Sequence, residues 1–258
     1  KDAVSAFSKV VEIENIPEAL EKSTLFSLAQ LSMQLEKYNQ ALSYIDRWSS
    51  LQEGTHPSKA MVLKANANYA MKKYAESLKN ISAAVAQEES KGKLPKENWL
   101  VLKRALHYEL KQPKQVTKVS EKLVRLYSKP QYWVELANMY GEVGESDKQL
   151  AVMEAAHQQG FVSKKSDFKT LAQLYFFSGA PYKAARLMSD QLNKGVLTKD
   201  VKTLQFLAQA WTTAKEHEKA IPVLKEAANL SSDGNMDAQL AEVYISLEKW
   251  QQAIDAAT

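Results

Sequence analysis

Two stretches near opposite ends of the chain share one pattern. Residues Leu240–Ile254 read LAEVYISLEKWQQAI, and residues Leu28–Leu42 read LAQLSMQLEKYNQAL, so the two superpose without a gap. The copies lie about two hundred residues apart. A match at this distance predicts a tandem array with further copies between them.

The small residue of the Leu-Ala pair marks those further copies. It recurs at Ala29, Ala65, Ala137, Ala172, Ala208 and Ala241, and Arg104 takes the same place in one more copy. Successive markers lie 36, 39, 33, 35, 36 and 33 residues apart, which is the length of a helix–turn–helix unit. We therefore predict an all-α fold, a solenoid of about seven such repeats with an N-terminal capping helix.

The pattern also predicts where the repeats begin and end. We expect a single solenoid over residues 1–258, with a capping helix in residues 1–16, helical over 2–15, and repeats at about 18–54, 55–92, 95–129, 130–162, 164–197, 198–232 and 234–258. Pro113 and Pro181 should occupy the first turn of second helices, where proline is favourable. Pro222 falls inside a second helix and should bend it slightly.

Composition excludes several classes of protein. The chain has no cysteine, which rules out disulfides, thiolate metal sites and a cysteine nucleophile. No apolar run is long enough for a membrane-spanning helix. The first residue is lysine rather than methionine, so we expect the sequence to follow a removed leader or a boundary within a longer chain.

No cluster of residues predicts catalysis, a metal site or a cofactor. The four histidines fall in different repeats and have no second ligand at metal-binding spacing: His56, His107, His157 and His217. Gly141 and Gly144 match the spacing of a helix end rather than a phosphate-binding loop. We therefore predict a protein that is not an enzyme.

The repeat resembles a known family at its signature positions. These are Trp99, Trp133, Leu136, Ala137, Tyr140, Gly144, Tyr175 and Trp211. They resemble the tetratricopeptide repeat over essentially the whole chain from about residue 18. The resemblance implies a right-handed superhelical solenoid whose first helices line the concave surface. Arg104 departs from the family pattern, which makes the packing of the third pair the hardest to predict.

A narrower resemblance concerns two stretches of the fifth and sixth copies. Residues Gly179–Leu187 read GAPYKAARL, and residues Leu207–Trp211 read LAQAW. They look like the periplasmic repeat proteins encoded beside TonB–ExbB–ExbD systems in proteobacteria. The resemblance implies a periplasmic location and partners of the TonB, ExbB or ExbD type. The alternative is a soluble cytoplasmic protein.

Two rows of residues on the first helices predict a partner-binding groove. The amide row follows each marker directly, and five of its seven members are carboxamides: Gln30, Asn66, Ala105, Asn138, Gln173, Gln209 and Glu242. Three positions further lies the apolar row: Met33, Tyr69, Tyr108, Gly141, Phe176, Thr212 and Ile245. Carboxamides match the backbone of an extended peptide, and aromatic residues dominate interfaces. The alternative is an ordinary solvated face.

One subclass of the family can be tested on its own motif. The carboxylate clamp grips a partner's C-terminal carboxylate with lysine, asparagine and arginine on neighbouring first helices. Phe26 occupies the position where that motif has its first lysine. The sequence therefore disfavours binding of chaperone tails.

Basic residues concentrate in the third repeat. Residues 91–129 contain eleven Lys or Arg against three Glu. Lys114, Lys118, Lys122 and Arg125 follow at helical spacing and define a basic stripe on one second helix. The stripe could dock on an acidic protein or an anionic membrane, or it could simply be a solvated face. Nucleic acid is the least favoured partner, because only four of the 34 basic residues are arginine. Uncovered helix faces near Lys1 and Thr258 also make self-association a possible outcome.

Overall fold

A computed structural model describes residues 2–52, 57–231 and 234–257. Over these residues the fold is all-α and contains no strand, as predicted. The fifteen described helices are α1 Asp2–Val10, α2 Glu18–Gln34, α3 Tyr38–Ser50, α4 Ser58–Ala70, α5 Tyr74–Ser90, α6 Glu97–Glu109, α7 Pro113–Tyr127, α8 Pro130–Glu142, α9 Ser146–Gln158, α10 Lys165–Phe177, α11 Pro181–Asn193, α12 Val201–Thr213, α13 His217–Leu230, α14 Asn235–Ser246 and α15 Trp250–Ala257.

The helices form two compact units. Unit 1 covers Lys1–Ser128 and contains α1–α7, and unit 2 covers Lys129–Thr258 and contains α8–α15. Within each unit every helix packs chiefly against the helices that precede and follow it in the chain. Each unit is therefore a helical solenoid of stacked helix pairs. The pairs are α2–α3, α4–α5 and α6–α7 in unit 1, and α8–α9, α10–α11, α12–α13 and α14–α15 in unit 2. In each pair we call the earlier helix the first helix and the later one the second helix.

The turn within each described pair has one recurring backbone geometry. The second residue after the first helix has a positive φ in all seven: Glu36, Lys72, Lys111, Gly144, Gly179, Lys215 and Glu248. The next amide donates back into the helix, for example from Lys37 N to Ser32 O at 2.8 Å. This is a Schellman cap, which satisfies a helix-end carbonyl and reverses the chain in few residues.

Small side chains let the two helices of a pair approach closely. Ala41, Ala184 and Ala220 are fully buried at the equivalent position near the start of their second helices. Ser77 replaces alanine in α5, and its hydroxyl donates to the Ala65 carbonyl oxygen at 2.7 Å, so its burial leaves no polar group unpaired. Gln149 holds this position in α9. There the first helix provides Gly141, whose absent Cβ would lie 2.6 Å from Gln149 Nε2.

The capping helix is shorter than predicted. Helix α1 ends at Val10, and Asn15 has a φ of 59°, so the predicted helix over 2–15 was wrong in its last residues. Val11 instead turns into the core of unit 1 beside residues of α2 and α3. Arg47 Nη2 donates to the Val11 carbonyl oxygen at 3.0 Å and pairs with Glu21. A guanidinium at this place stabilises the end of the helix.

The prolines lie largely where the pattern predicts. Pro113 and Pro181 are the first residues of α7 and α11, which confirms that part of the prediction. Helix α13 continues from His217 to Leu230 through Pro222.

Candidate functional site

The first helices of unit 1 surround a cavity of about 400 Å³. It contains Gln30 and Asn66 from the amide row and Met33 from the apolar row. We call it the aromatic cavity, and its lining is Phe26, Gln30, Met33, Gln34, Lys59, Val62, Leu63, Asn66, Lys96 and Trp99. Gln30 and Asn66 are exposed to solvent, as is the third carboxamide of the lining, Gln34. Their donors and acceptors are therefore accessible to a ligand.

Two lysines stand over the aromatic rings of this cavity. Lys59 Nζ lies 4.5 Å from the ring centre of Phe26 and 5.0 Å from that of Trp48, which packs against Phe26 outside the cavity lining. Lys96 Nζ lies 5.9 Å from the ring centre of Trp99. None of the described residues that line the cavity is acidic. The cavity thus combines positive charge, amide groups and an apolar floor, which is the chemistry of a site for an acidic peptide. Nothing in the sequence pattern singled out either lysine.

Unit 2 has a different cavity on its own first helices. It encloses about 360 Å³ between α12 and α14. We call it the amide cavity, and its lining is Gln205, Gln209, Thr212, Gln239, Glu242, Val243 and Ser246. It includes Gln209 and Glu242 of the amide row. Its lining is mainly polar and has no lysine, so it offers hydrogen bonds rather than a positive field.

The remaining predicted groove residues lie outside these two cavities. Asn138 on α8 and Gln173 on α10 are exposed. Tyr69 is 38% exposed and its ring centre lies 5.8 Å from that of Tyr74 in a tilted contact, whereas Tyr108 is 64% exposed. All four are accessible to a partner.

An aromatic cluster in unit 2 extends beyond the predicted apolar row. Phe176 is partly buried and its ring centre lies 5.5 Å from Phe177 and 5.6 Å from Phe206. Phe177 is 81% exposed. The spacing of the markers predicted Phe176 alone, because Phe177 and Phe206 occupy positions that are not aromatic in the other repeats. An exposed phenylalanine of this kind is a candidate interface anchor.

No protein-family model and no curated protein matches this chain. Solved structures do match. One is a chain of the Naa15/Naa10 complex bound to HypK-THB, with a TM-score of 0.64 and 14% identity. The match covers 91% of the present chain but only 35% of the length of the matched chain. YrrB, a tetratricopeptide-repeat protein with an unusual peptide-binding site, has a TM-score of 0.51 and 16% identity, covering 86% of this chain and 99% of its own.

A third match has the same character. The C-terminal part of a tetratricopeptide-repeat protein from Cytophaga hutchinsonii has a TM-score of 0.51 and 14% identity, covering 90% of this chain and 92% of its own. The chain has a tetratricopeptide-repeat fold. At these identities the likeness concerns the fold alone.

The basic stripe lies on a second helix of this tetratricopeptide-repeat fold, α7. Lys114, Lys118 and Arg125 are exposed. Lys122 is partly buried and pairs with Glu89 of α5. Lys118 and Lys122 also line a third cavity, of about 300 Å³, between α5, α6 and α7. The stripe is therefore not a uniformly solvated face, because two of its members turn into a recess.

The histidines of the described residues lie in separate environments. No group of three or more potential ligands occurs among the described residues. His107 is buried and its Nδ1 lies 2.7 Å from Gln112 Oε1. His157 packs edge-on against Phe168, and burial lowers its pKa, with a further contribution from Lys194. His56 lies outside the described residues.

A hydrogen-bonded network joins three consecutive helices of unit 2. Tyr175 OH donates to Glu154 Oε1 at 2.9 Å, and Lys183 Nζ donates to the same oxygen at 3.0 Å. Lys183 holds the pKa of Glu154 below its ordinary value, and burial raises the pKa of Tyr175. The network ties α9, α10 and α11 together. None of the described helices has the length and apolar character needed to cross a bilayer.

Proposed function

We propose that this chain is a protein-interaction scaffold that holds an extended segment of a partner on its first-helix faces, with the aromatic cavity of unit 1 as the principal site. The observation that carries the proposal is the composition of that cavity. Three exposed carboxamides, Gln30, Gln34 and Asn66, and two lysines surround aromatic rings in one recess of about 400 Å³. The fold is compatible, since YrrB is described as a tetratricopeptide-repeat protein with a peptide-binding site.

Each part of the cavity has a distinct task in this proposal. Gln30 and Asn66 pair with the backbone of the bound segment, because an amide both donates and accepts. Phe26 and Trp99 receive an apolar side chain. Lys59 and Lys96 attract a neighbouring Asp or Glu, so the favoured segment is acidic with an apolar residue beside the acid. The segment need not end in a carboxylate, because the clamp motif is absent.

In unit 2, Asn138, Gln173 and Gln209 serve the same backbone-pairing purpose in this proposal. Further aromatic anchors are Tyr69 and Tyr108 in unit 1 and Phe176 in unit 2. We add Phe177 because its side chain is exposed. Aromatic anchors typically carry a large share of the binding energy.

A peptide-display selection followed by calorimetry tests the proposal. Peptides selected on the wild-type chain should bind a Gln30→Ala, Asn66→Ala double variant about tenfold more weakly, since each lost hydrogen bond contributes about 0.5–1.5 kcal/mol. A Lys59→Met, Lys96→Met double variant should lose binding and its salt dependence together.

The matched control is Asn39→Ala, Gln40→Ala, which removes two exposed amides from second helix α3. This control should bind the selected peptides as the wild type does. If the control and the Gln30, Asn66 variant behaved alike, the first-helix face would not be the binding surface.

The resemblance to repeat proteins of TonB–ExbB–ExbD systems supports a narrower proposal, a periplasmic accessory of an envelope energy-transduction complex. Several residues that carry this resemblance are buried, among them Ala184, Ala185, Leu207, Ala208 and Trp211. They contribute to packing rather than to a partner face. Co-purification with the periplasmic domains of TonB and ExbD that survives high salt would support the proposal, and its absence would remove it.

A second candidate function is docking through the basic stripe to an acidic protein or membrane. The exposure of Lys114, Lys118 and Arg125 favours it. Reversal of Lys114 and Lys118 to Glu should abolish such docking and leave the selected peptides bound. Exposed apolar residues on α15, Trp250 and Ile254, similarly keep self-association as a prediction for sedimentation analysis.

A further inference from the structure

The cavity between α5, α6 and α7 has an unusual set of polar groups. We call it the lysine cavity. Its polar lining is Ser82, Lys103, His107, Gln115, Lys118 and Lys122. None of the described residues that line it is acidic. Its lining comes from second helices α5 and α7 and from first helix α6, and it shares no residue with the aromatic cavity. A ligand in the lysine cavity would therefore contact residues other than those that hold a segment in the aromatic cavity.

Lys103 occupies a place that other repeats fill with leucine. The residue before the marker is a buried leucine in five of seven copies: Leu28, Leu136, Leu171, Leu207 and Leu240. The two exceptions are Lys64 and Lys103, both partly buried. A lysine at a core position needs a counter-charge, because burial disfavours its charged form.

Lys64 has such a counter-charge. Its Nζ lies 2.6 Å from Asp46 Oδ1, on the second helix of the preceding pair. Asp46 follows Ile45 in α3, and the equivalent residue after Ile81 in α5 is Ser82. In the first repeat, Asp46 therefore supplies a carboxylate to Lys64 of the second repeat. At the equivalent position the second repeat has only the Ser82 hydroxyl, which lines the lysine cavity together with Lys103 of the third repeat.

The cationic groups of the lysine cavity are only partly compensated. Lys122 pairs with Glu89 at its edge. Neither Lys103 nor Lys118 forms an ion pair within the described residues. Burial lowers the pKa of Lys103, and burial together with Arg125 lowers that of Lys122. An anion inside the cavity would reverse both effects.

The geometry points to the lysine cavity as a binding site for a phosphate monoester, whose dianion takes the place that Asp46 holds beside Lys64. A dianion balances both Lys103 and Lys118, whereas a carboxylate would balance one of them. Ser82 and Gln115 supply neutral donors for the remaining oxygens. The volume of about 300 Å³ leaves room for the group that carries the phosphate.

Titration calorimetry with inorganic phosphate at neutral pH tests the site directly. The Ser82→Asp variant supplies the missing carboxylate to Lys103 and should weaken phosphate binding at least about tenfold. The same variant should raise the melting temperature of the chain, which separates a filled site from a misfolded protein. The Lys103→Met variant should weaken binding to a similar extent, because it removes the partly buried ammonium of the cavity.

Two matched controls change the same charges outside the cavity. Ala83→Asp adds a carboxylate at the neighbouring exposed position of α5, and Lys79→Met removes an exposed lysine of the same helix that belongs to neither the basic stripe nor the cavity. Both should change phosphate affinity less than about twofold, since exposed charges act through a screened field. Equal weakening by Lys103→Met and Lys79→Met would overturn the proposal in favour of non-specific attraction.

The source of the phosphate is distinguished by two further ligands, glycerol 3-phosphate in solution and vesicles that contain phosphatidic acid. Binding of glycerol 3-phosphate that Ser82→Asp abolishes supports a soluble ligand, and vesicle binding alone that Ser82→Asp abolishes supports a lipid headgroup. The proposal would be overturned if vesicle binding that persists in both cavity variants were the only binding seen, or if none of the three ligands bound.

Discussion

Unit 1 and unit 2 use the same helix pair but fill its stacking position differently. The residue before the marker is Lys64 or Lys103 in two pairs of unit 1, whereas all four pairs of unit 2 have leucine there. The charge follows the same division. Residues 1–128 hold 20 Lys or Arg against 14 Asp or Glu, and residues 129–258 hold 14 against 16.

The difference shows how a repeat fold acquires a charged site. In unit 2 a single cluster of buried residues runs from Ala137 to Ala253, so its interior is continuous and apolar. In unit 1 a lysine replaces a leucine, and the space beside it is either closed by Asp46 or left as the lysine cavity. A change of one core residue can therefore create a recess without altering the backbone plan.

The largest effect should come from breaking the apolar interior of unit 2. Leu171 is fully buried, so Leu171→Ala should cost about 2–5 kcal/mol of unfolding free energy. Native-state hydrogen exchange, which reports local stability, should show this loss in α9–α12 and a smaller change in α2–α5. Equal loss in both units would mean that the chain unfolds as one cooperative body.

A gain in unfolding free energy is expected at the equivalent position of unit 1, the residue before the marker. Lys103→Met replaces a partly buried charge that lacks an ion pair within the described residues, and should stabilise the chain by about 1–2 kcal/mol. Lys64→Met should give a smaller gain, because it also removes the pair with Asp46. Urea denaturation of the two variants checks the order, and a larger gain for Lys64→Met would contradict it.

Acid should destabilise unit 2. The pKa of His157 lies below its ordinary value of 6.5, and that of Glu154 below its ordinary value of 4.5. The unfolded chain then binds these protons more tightly than the folded chain. The stability that they contribute is complete above pH 6.5 and pH 4.5 respectively, and is lost as the pH falls through each folded value.

Hydrogen exchange at pH 7 and pH 5 measures the contribution of His157. Protection of α9 and α10 should fall over this range in the wild type, because the folded chain binds the His157 proton less tightly than the unfolded chain does. A His157→Gln variant should show a smaller fall. An unchanged fall would assign the acid sensitivity to other groups.

The smallest effects should arise at the turns within helix pairs, where the same positive-φ position holds a lysine in one unit and a glycine in the other. Lys72 in unit 1 has a φ of 59° and Gly179 in unit 2 a φ of 82°. Lys72→Gly should stabilise the chain by up to about 1 kcal/mol, and Gly179→Ala should destabilise it by about 1 kcal/mol, because a side chain disfavours positive φ. Thermal melts of both variants should therefore shift in opposite directions.

Much of the fold was predictable because repeat periodicity is a local property. The markers and the prolines at 113 and 181 predicted helix pairs that the structure contains. The end of α1 was mispredicted because Val11 turns into the core, and no local pattern encodes that contact. Phe177 was missed since its exposure depends on how α10 and α12 stack. Lys59 and Lys96 were missed because they come from different helices.

The sequence by itself determined the repeat, its helix pairs and the excess of positive charge in the third copy. These follow from the order of apolar, small and turn-forming residues over about 35 positions. The tertiary structure alone decided which lysines meet in a cavity and which are paired. Whether Lys64 finds Asp46 while Lys103 faces Ser82 and a recess depends on contacts between neighbouring helix pairs. Those contacts join residues about 20 positions apart, beyond the range of any helical pattern.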